Sequence, residues 1–203
     1  MVMKYRYKIL ETTEVFRGFL KLNRYKIIHD LFLGGQSETI IRERLEDIGA
    51  VSVLLYDPQH DKVVLVEQFR IGAAGFANPP WLLETIGGLQ SDGESDESVA
   101  RREAIEEANC EIGRLKKICE FMVSPGISVD RIKLYCGEVD STRADGVHGL
   151  DHEGEDIRVV VMDADEAIGE LYQGRANSTS IIIALQWLTV NKASLKEEWL
   201  KAE

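Results

Sequence analysis

Polar and apolar positions divide the chain into a strand-rich front and a mixed remainder. From Tyr5 to about Asp47 the runs Phe16-Arg17-Gly18-Phe19-Leu20 and Arg24-Tyr25-Lys26-Ile27-Ile28, with the stretch Thr39-Ile40-Ile41-Arg42, have the alternation of extended strands. This front, 1–48, is too small to hold a large core alone and reads as an antiparallel β extension. From Gly49 onward the pattern changes. VSVLLY and VVLVEQFR flank the turn Asp57-Pro58-Gln59-His60-Asp61-Lys62, which predicts a hairpin. A strand at Leu82–Ile86, an acidic helix, strands near Ile118–Val123, Ile132–Val139 and Ile157–Met162, and helices near Ala164–Gln173 and Thr179–Val190 follow. Strands interrupted by helices predict an α/β domain over 49–203, a mixed β-sheet sandwiched between helices.

Composition narrows the class. A chain of 203 residues with 44% hydrophobic and 29% charged residues suffices for one good-sized core and needs no disorder. Its 24 basic and 35 acidic residues give a formal charge of −11, which disfavours long polynucleotides and anionic membrane as partners. No apolar run approaches the roughly 20 residues of a spanning helix, and the start MVMKYRYKIL lacks a signal peptide's apolar segment, so a cytoplasmic location is expected. Cys110, Cys119 and Cys136 are odd in number and widely spaced, as reduced thiols would be. His29, His60, His148 and His152 do not form a metal-spaced set and read as incidental.

The chemistry concentrates between Gly88 and Cys110, GLQSDGESDESVARREAIEEANC. Ser95 followed by Asp96 and Glu97 marks a helix start, and helical spacing puts Glu103, Glu106 and Glu107 in one wedge. Ala104, Ile105, Ala108 and Ile112 are expected on the opposite, core-facing side, and Arg102 lies within reach of Glu106. Like charges at this spacing repel, so a cation is expected among them, and a hard divalent ion shared with substrate phosphates suits such oxygens. A solvated, salt-bridged surface helix is the plainer alternative.

Gly88, five residues, Glu94, seven residues, then Arg102-Glu103-Ala104-Ile105-Glu106-Glu107 resembles the signature box of the Nudix hydrolases, which cleave nucleoside diphosphates linked to another group. Two positions depart: Asn109 stands where the family usually has glycine, and Ala104 is small. Asn tolerates the left-handed cap conformation, so the first departure is mild. Phe16-Arg17-Gly18-Phe19, Val66-Glu67-Gln68-Phe69-Arg70, Trp81-Leu82-Leu83-Glu84, Ser124-Pro125-Gly126 and the stretch Gly149–Val159 are similar to the family's bacterial ADP-ribose pyrophosphatase branch. That resemblance implies hydrolysis of ADP-ribose to AMP and ribose 5-phosphate, a required Mg²⁺ with Mn²⁺ as the other candidate ion, and a homodimer whose amino-terminal strands complete the partner's site. GDP-mannose or another nucleoside diphosphate sugar stays open as substrate, and so does an inactive ADP-ribose sensor.

The same resemblance implies roles for single residues. Metal ligands would be the Gly87 carbonyl, Glu103, Glu107 and, from a late acid-rich loop, Glu155, with Glu153 the general base and Glu106 and Arg102 in support. Substrate contacts would come from Phe19, Leu20, Arg42 and Glu43 of the front region, with Arg70, Leu89, Ser124, Gly126 and Asp130. An aromatic ring such as Phe19 can stack on adenine, and forked arginines suit diphosphate oxygens.

Overall fold

Two strands buried on both faces organise the larger part of the molecule: β4 (Gly49–Asp57) and β5 (Lys62–Phe69) pair antiparallel across the predicted turn, Leu55 opposite Val64. In a computed structural model that describes residues 5–46, 49–76 and 79–201, their near-continuous apolar runs mark central strands with both faces covered. The two-residue period sorts them. Leu54, Tyr56, Val63 and Leu65 enter one core, while Val51, Val53, Leu55, Val64 and Val66 enter the other. Helices α2 (Ala164–Gln173) and α3 (Thr179–Leu200) cover the first core, and α1 (Asp96–Ala108) covers the second.

Among the described residues the sheet has eight strands, ordered β10-β11-β5-β4-β9-β8, with β6 added to β5 and β7 to β4. These are β6 (Trp81–Glu84), β7 (Ile86–Leu89), β8 (Leu115–Met122), β9 (Arg131–Glu138), β10 (Val147–His148) and β11 (Ile157–Asp163). The single strand expected at Leu82–Ile86 is two, because Thr85 turns the chain from one partner to the other: Ser52 Oγ meets Thr85 Oγ1 at 2.7 Å and donates to the Ile86 carbonyl at 3.2 Å. The last helix runs ten residues beyond the expected Val190, since Leu195 and Trp199, 1% and 3% exposed, continue its buried stripe.

The front region forms its own three-stranded antiparallel sheet of β1 (Tyr7–Arg17), β2 (Lys21–His29) and β3 (Ile40–Glu46). The chain divides into two compact units, Met1–Gly49 with Met122–Arg131, and Ala50–Phe121 with Ile132–Glu203. The β8–β9 connection belongs to the first because Leu45 N donates to the Ile127 carbonyl at 2.9 Å and Val129 N to the Leu45 carbonyl at 3.1 Å. Every residue of β1 is exposed, Tyr7 and Phe16 at 74% and 58%, so within its unit this strand covers no core.

Candidate active site

Helix α1 opens with Ser95, whose hydroxyl accepts from Ser98 N at 3.1 Å, and closes on Asn109 with φ 51° and ψ 34°. Asn therefore takes the left-handed cap that glycine would supply. Between these caps the carboxylates do not lie opposite the core as expected. Glu103 and Glu107 share the buried face with Val99, Ala100, Ala104 and Ala108, at 9% and 2% exposure, whereas Ile105 is 51% exposed. A surface helix would keep its acids in water; this one turns two of them inward.

The space for them comes from β7. A Cβ on Gly88 would lie 1.7 Å from Glu103 Oε1 and displace that carboxylate, and one on Gly87 would lie 2.6 Å from the Val51 carbonyl, where backbone leaves a side chain no room. Gly87 N donates to Glu107 Oε2 at 3.1 Å. Burial pushes the Glu107 carboxyl up to about 8, and the neighbouring Glu103 and Glu155 carboxylates add to it against the pull of the Gly87 bond. Glu103 is raised by the same burial, opposed by Arg102. Arg102 compensates part of this charge: Nη1 donates to Glu103 Oε1 at 2.6 Å and to Glu106 Oε2 at 2.9 Å, while Nε donates to Glu94 Oε1 at 3.1 Å. The bond to Arg102 in turn holds Glu94 below its usual range.

The late loop joins this cluster through its backbone. Gly149 N donates to the Glu106 carbonyl at 3.4 Å, and Leu150 N to Glu155 Oε2 at 3.0 Å. Gly149 has φ 107°, and a Cβ there would stand 2.6 Å from the Glu155 Cβ, so only glycine lets Glu155 fold beneath it. Glu153 is exposed on a short helical turn, its carboxylate 3.6 Å from His152 Nε2. Arg70 is exposed and donates to Glu84 Oε2 at 2.7 Å, and its charge reaches Glu107. Leu89 is 53% exposed at the end of β7. Glu94 and Glu84, the partners of Arg102 and Arg70, had no assigned role; the box spacing carried a signal for the first and nothing carried one for the second.

The remaining candidates lie in the smaller unit. Phe19 is 94% exposed and Leu20 37% on the β1–β2 turn; Arg42 bonds the Ile41 carbonyl at 2.7 Å, and Glu43 pairs with Arg24 at 2.8 Å. The Ser124 carbonyl accepts from Ile127 N and Ser128 N, closing the turn that contains Gly126. Among the described residues Asp130 Oδ1 is buried with no hydrogen-bond partner, and burial raises its carboxyl. His60 is not incidental. Its Nδ1 lies 2.8 Å from Asp57 Oδ2, within a grouping of Asp57, His60 and Asp140. Asp57 is saturated by bonds from Ser141 Oγ and the amides of Ser141, Gln59 and His60, which makes the grouping a brace for the β4–β5 turn.

An α/β fold with this glycine, arginine and paired-glutamate arrangement on one strand–loop–helix defines a phosphate-anhydride hydrolase of Nudix type, and its buried carboxylate oxygens are a donor set that fits a hard divalent ion. The family model for the NUDIX domain matches residues 47–202, and the chain belongs to that family. ADP-ribose pyrophosphatase of Escherichia coli (strain K12) is 43% identical over 192 residues, covering 95% of this chain and 92% of that protein. The protein of the same description from Haemophilus influenzae is 42% identical over 198 residues, and GDP-mannose pyrophosphatase of Enterobacter sp. (strain 638) is 30% identical over 185. A solved structure described as an ADP compounds hydrolase superposes with a TM-score of 0.68 at 16% identity, covering 92% of this chain and 96% of that one, a likeness of fold.

Proposed function

We propose that the protein hydrolyses the pyrophosphate of ADP-ribose to AMP and ribose 5-phosphate in the cytoplasm, using Mg²⁺. The observation that carries the reading is the buried Glu103–Glu107 pair, Glu103 filling the side-chain space of Gly88 and Glu107 accepting from Gly87 N; similarity to the ADP-ribose pyrophosphatases at 43% identity over 95% of the chain selects the substrate. Glu103, Glu107, Glu155 and the Gly87 carbonyl would hold the ion, which would supply charge neutralisation for the diphosphate and a lowered pKa for water. Glu153 takes the proton from the attacking water as its oxygen joins one phosphorus and the bridging P–O bond breaks, the leaving phosphate keeping the electron pair. Arg102 orients Glu103 and Glu106, and Arg70 offers donors to the diphosphate.

In this reading the smaller unit also contacts substrate. Phe19, Leu20, Arg42 and Glu43 serve the site of a second chain, with adenine stacked on the Phe19 ring, Ser124, Gly126 and Asp130 are further substrate contacts, and Leu89 is one from the larger unit. Support comes from β1, exposed along its whole length, and from the unpartnered Asp130 Oδ1, which a sugar hydroxyl would satisfy. Residues 1–48 thus act in dimerisation and substrate contact, and 49–203 in catalysis.

Purified protein with Mg²⁺ should release AMP from ADP-ribose with a kcat/KM about tenfold or more above that for GDP-mannose, a discrimination well within what placed hydrogen bonds provide. Preference for GDP-mannose would transfer the reading to the other relatives, and light scattering of the same preparation should give the mass of two chains. Gly88→Ala tests the cradle itself. Gly88 has a φ that alanine accepts, so the fold should melt as before while the displaced Glu103 carboxylate lowers kcat/KM about 100-fold, the scale of a misplacement of about 1 Å.

A further inference from the structure

The loop at 90–95 is the covalent link between β7, which presents Gly87 and Gly88, and α1, which presents Glu103 and Glu107. Its shape sets the register of one against the other. Both ends of this loop are tied to β9 by a polar set that the catalytic reading does not use. Lys133 Nζ donates to Asp96 Oδ1 at 2.5 Å and to Gln90 Oε1 at 3.4 Å; Tyr135 Oη donates to Asp96 Oδ2 at 2.9 Å. Gln90 Nε2 donates to Asp96 Oδ1 at 3.1 Å and to the Glu94 carbonyl at 2.5 Å. Lys133 and Tyr135 are two residues apart, so both project to the face on which α1 packs, and Tyr135 rests against that core. Asp96 sits in the first turn of α1, where the helix dipole adds to its charge-assisted bonds. Glu94 then links two networks. Its carbonyl is held by Gln90, and its carboxylate holds Arg102, which grips Glu103 and Glu106.

We propose that Gln90, Asp96, Lys133 and Tyr135 are positioning residues for the divalent-ion site, clamping the 90–95 loop so that Gly87 and the Glu103–Glu107 pair keep the register an ion requires. The inference rests on the reading of Glu103 and Glu107 as ion ligands. Mg²⁺ demands a near-ideal octahedral ligand shell, and any divalent ion here needs its carboxylates brought together, so a loosened loop costs affinity before it costs fold. Partners one shell behind the ligands carry such effects in other metal sites. Lys133 cannot be replaced by water in this role, because water would not bridge Gln90 and Asp96 with a positive charge that keeps the Asp96 carboxyl below its ordinary range.

Mn²⁺ titration of the full, substrate-free chain, followed by electron paramagnetic resonance, tests this without recourse to turnover. Asp96→Asn should weaken Mn²⁺ binding about tenfold, and Tyr135→Phe about threefold, with thermal melts close to wild type. In turnover, the half-saturating Mn²⁺ concentration should rise by the same factors while kcat at saturating Mn²⁺ returns to near the wild-type value. A purely structural role would lower the melting temperature and leave Mn²⁺ affinity in place, which overturns the proposal. Tyr135→Phe removes one hydroxyl and carries the test should Asp96→Asn fail to fold. Glu103→Gln separates the two levels: if it weakens Mn²⁺ binding and the Asp96 and Tyr135 variants do not, the clamp is wrong and the ion site stands; if it leaves Mn²⁺ binding unchanged, the ion site and the clamp fall together.

Discussion

Replacing Glu107 by Gln is expected to lower turnover of ADP-ribose by about three orders of magnitude and at the same time to make the ion-free protein more stable. The two effects have one cause. Glu107 is 2% exposed, and its carboxyl is pushed up to about 8 by burial and by the Glu103 and Glu155 charges. A group whose folded pKa lies above its ordinary 4.5 contributes stability that is complete below 4.5 and is lost as pH rises through about 8. Ion-free wild type should therefore melt at progressively lower temperature across that window. Glutamine keeps an oxygen to accept from Gly87 N, carries no charge to desolvate, and should flatten the profile. Divalent ion should restore wild type above pH 7 and do little for Glu107→Gln, because only the carboxylate gives ion binding free energy to the folded state. Thermal melts at several pH values, with and without Mg²⁺, measure the whole set. Equal turnover by the variant would remove Glu107 from the ion site.

That conflict between fold and charge was readable in the sequence as crowding, but its geometry was not. The interval from Gly88 to Glu107 carries the strand, loop and helix, and Asn109 at a left-handed cap follows from side-chain chemistry alone. The face of α1 does not. Glutamates in a helix normally point to water, so a reading by polarity places Ile105 inside and Glu103 outside, and the structure reverses them. What reverses them is the glycine pair on β7, a contact across 15 residues of chain that periodicity cannot register. The α3 extension was legible in principle through Leu188, Leu195 and Trp199, yet Asn191 and the charged stretch after it mask the stripe. The Asp96–Lys133 and Asp57–Ser141 contacts lack even that trace, since each joins polar side chains far apart in the chain whose meeting is fixed by the packing of β9 and the segment after it on β4 and α1.

Glu153→Gln is expected to separate binding from chemistry. Glu153 is exposed on the turn at Asp151–Glu153, and no bond from α1 or β7 is made to its side chain among the described contacts, so its loss leaves the buried carboxylates, Arg102 and the glycine strand in place. ADP-ribose affinity measured by calorimetry should change by less than about threefold, whereas kcat should fall about 10²–10⁴-fold, the usual contribution of a general base. The loop that carries it is held at both ends by glycine geometry: Gly149 with φ 107° docks on the Glu106 carbonyl, and Gly154 with φ 71° turns the chain back toward Glu155. Glu153 is therefore tied to Glu155, two residues away, and in the proposed reaction the water would lose its proton beside the diphosphate rather than in bulk. A variant that binds and does not turn over also settles the choice against an inactive sensor, because a protein that only binds has no chemistry for Glu153→Gln to remove. If kcat is unchanged, another group takes the proton, and the exposed acids of the same loop, Asp156 first, become the candidates.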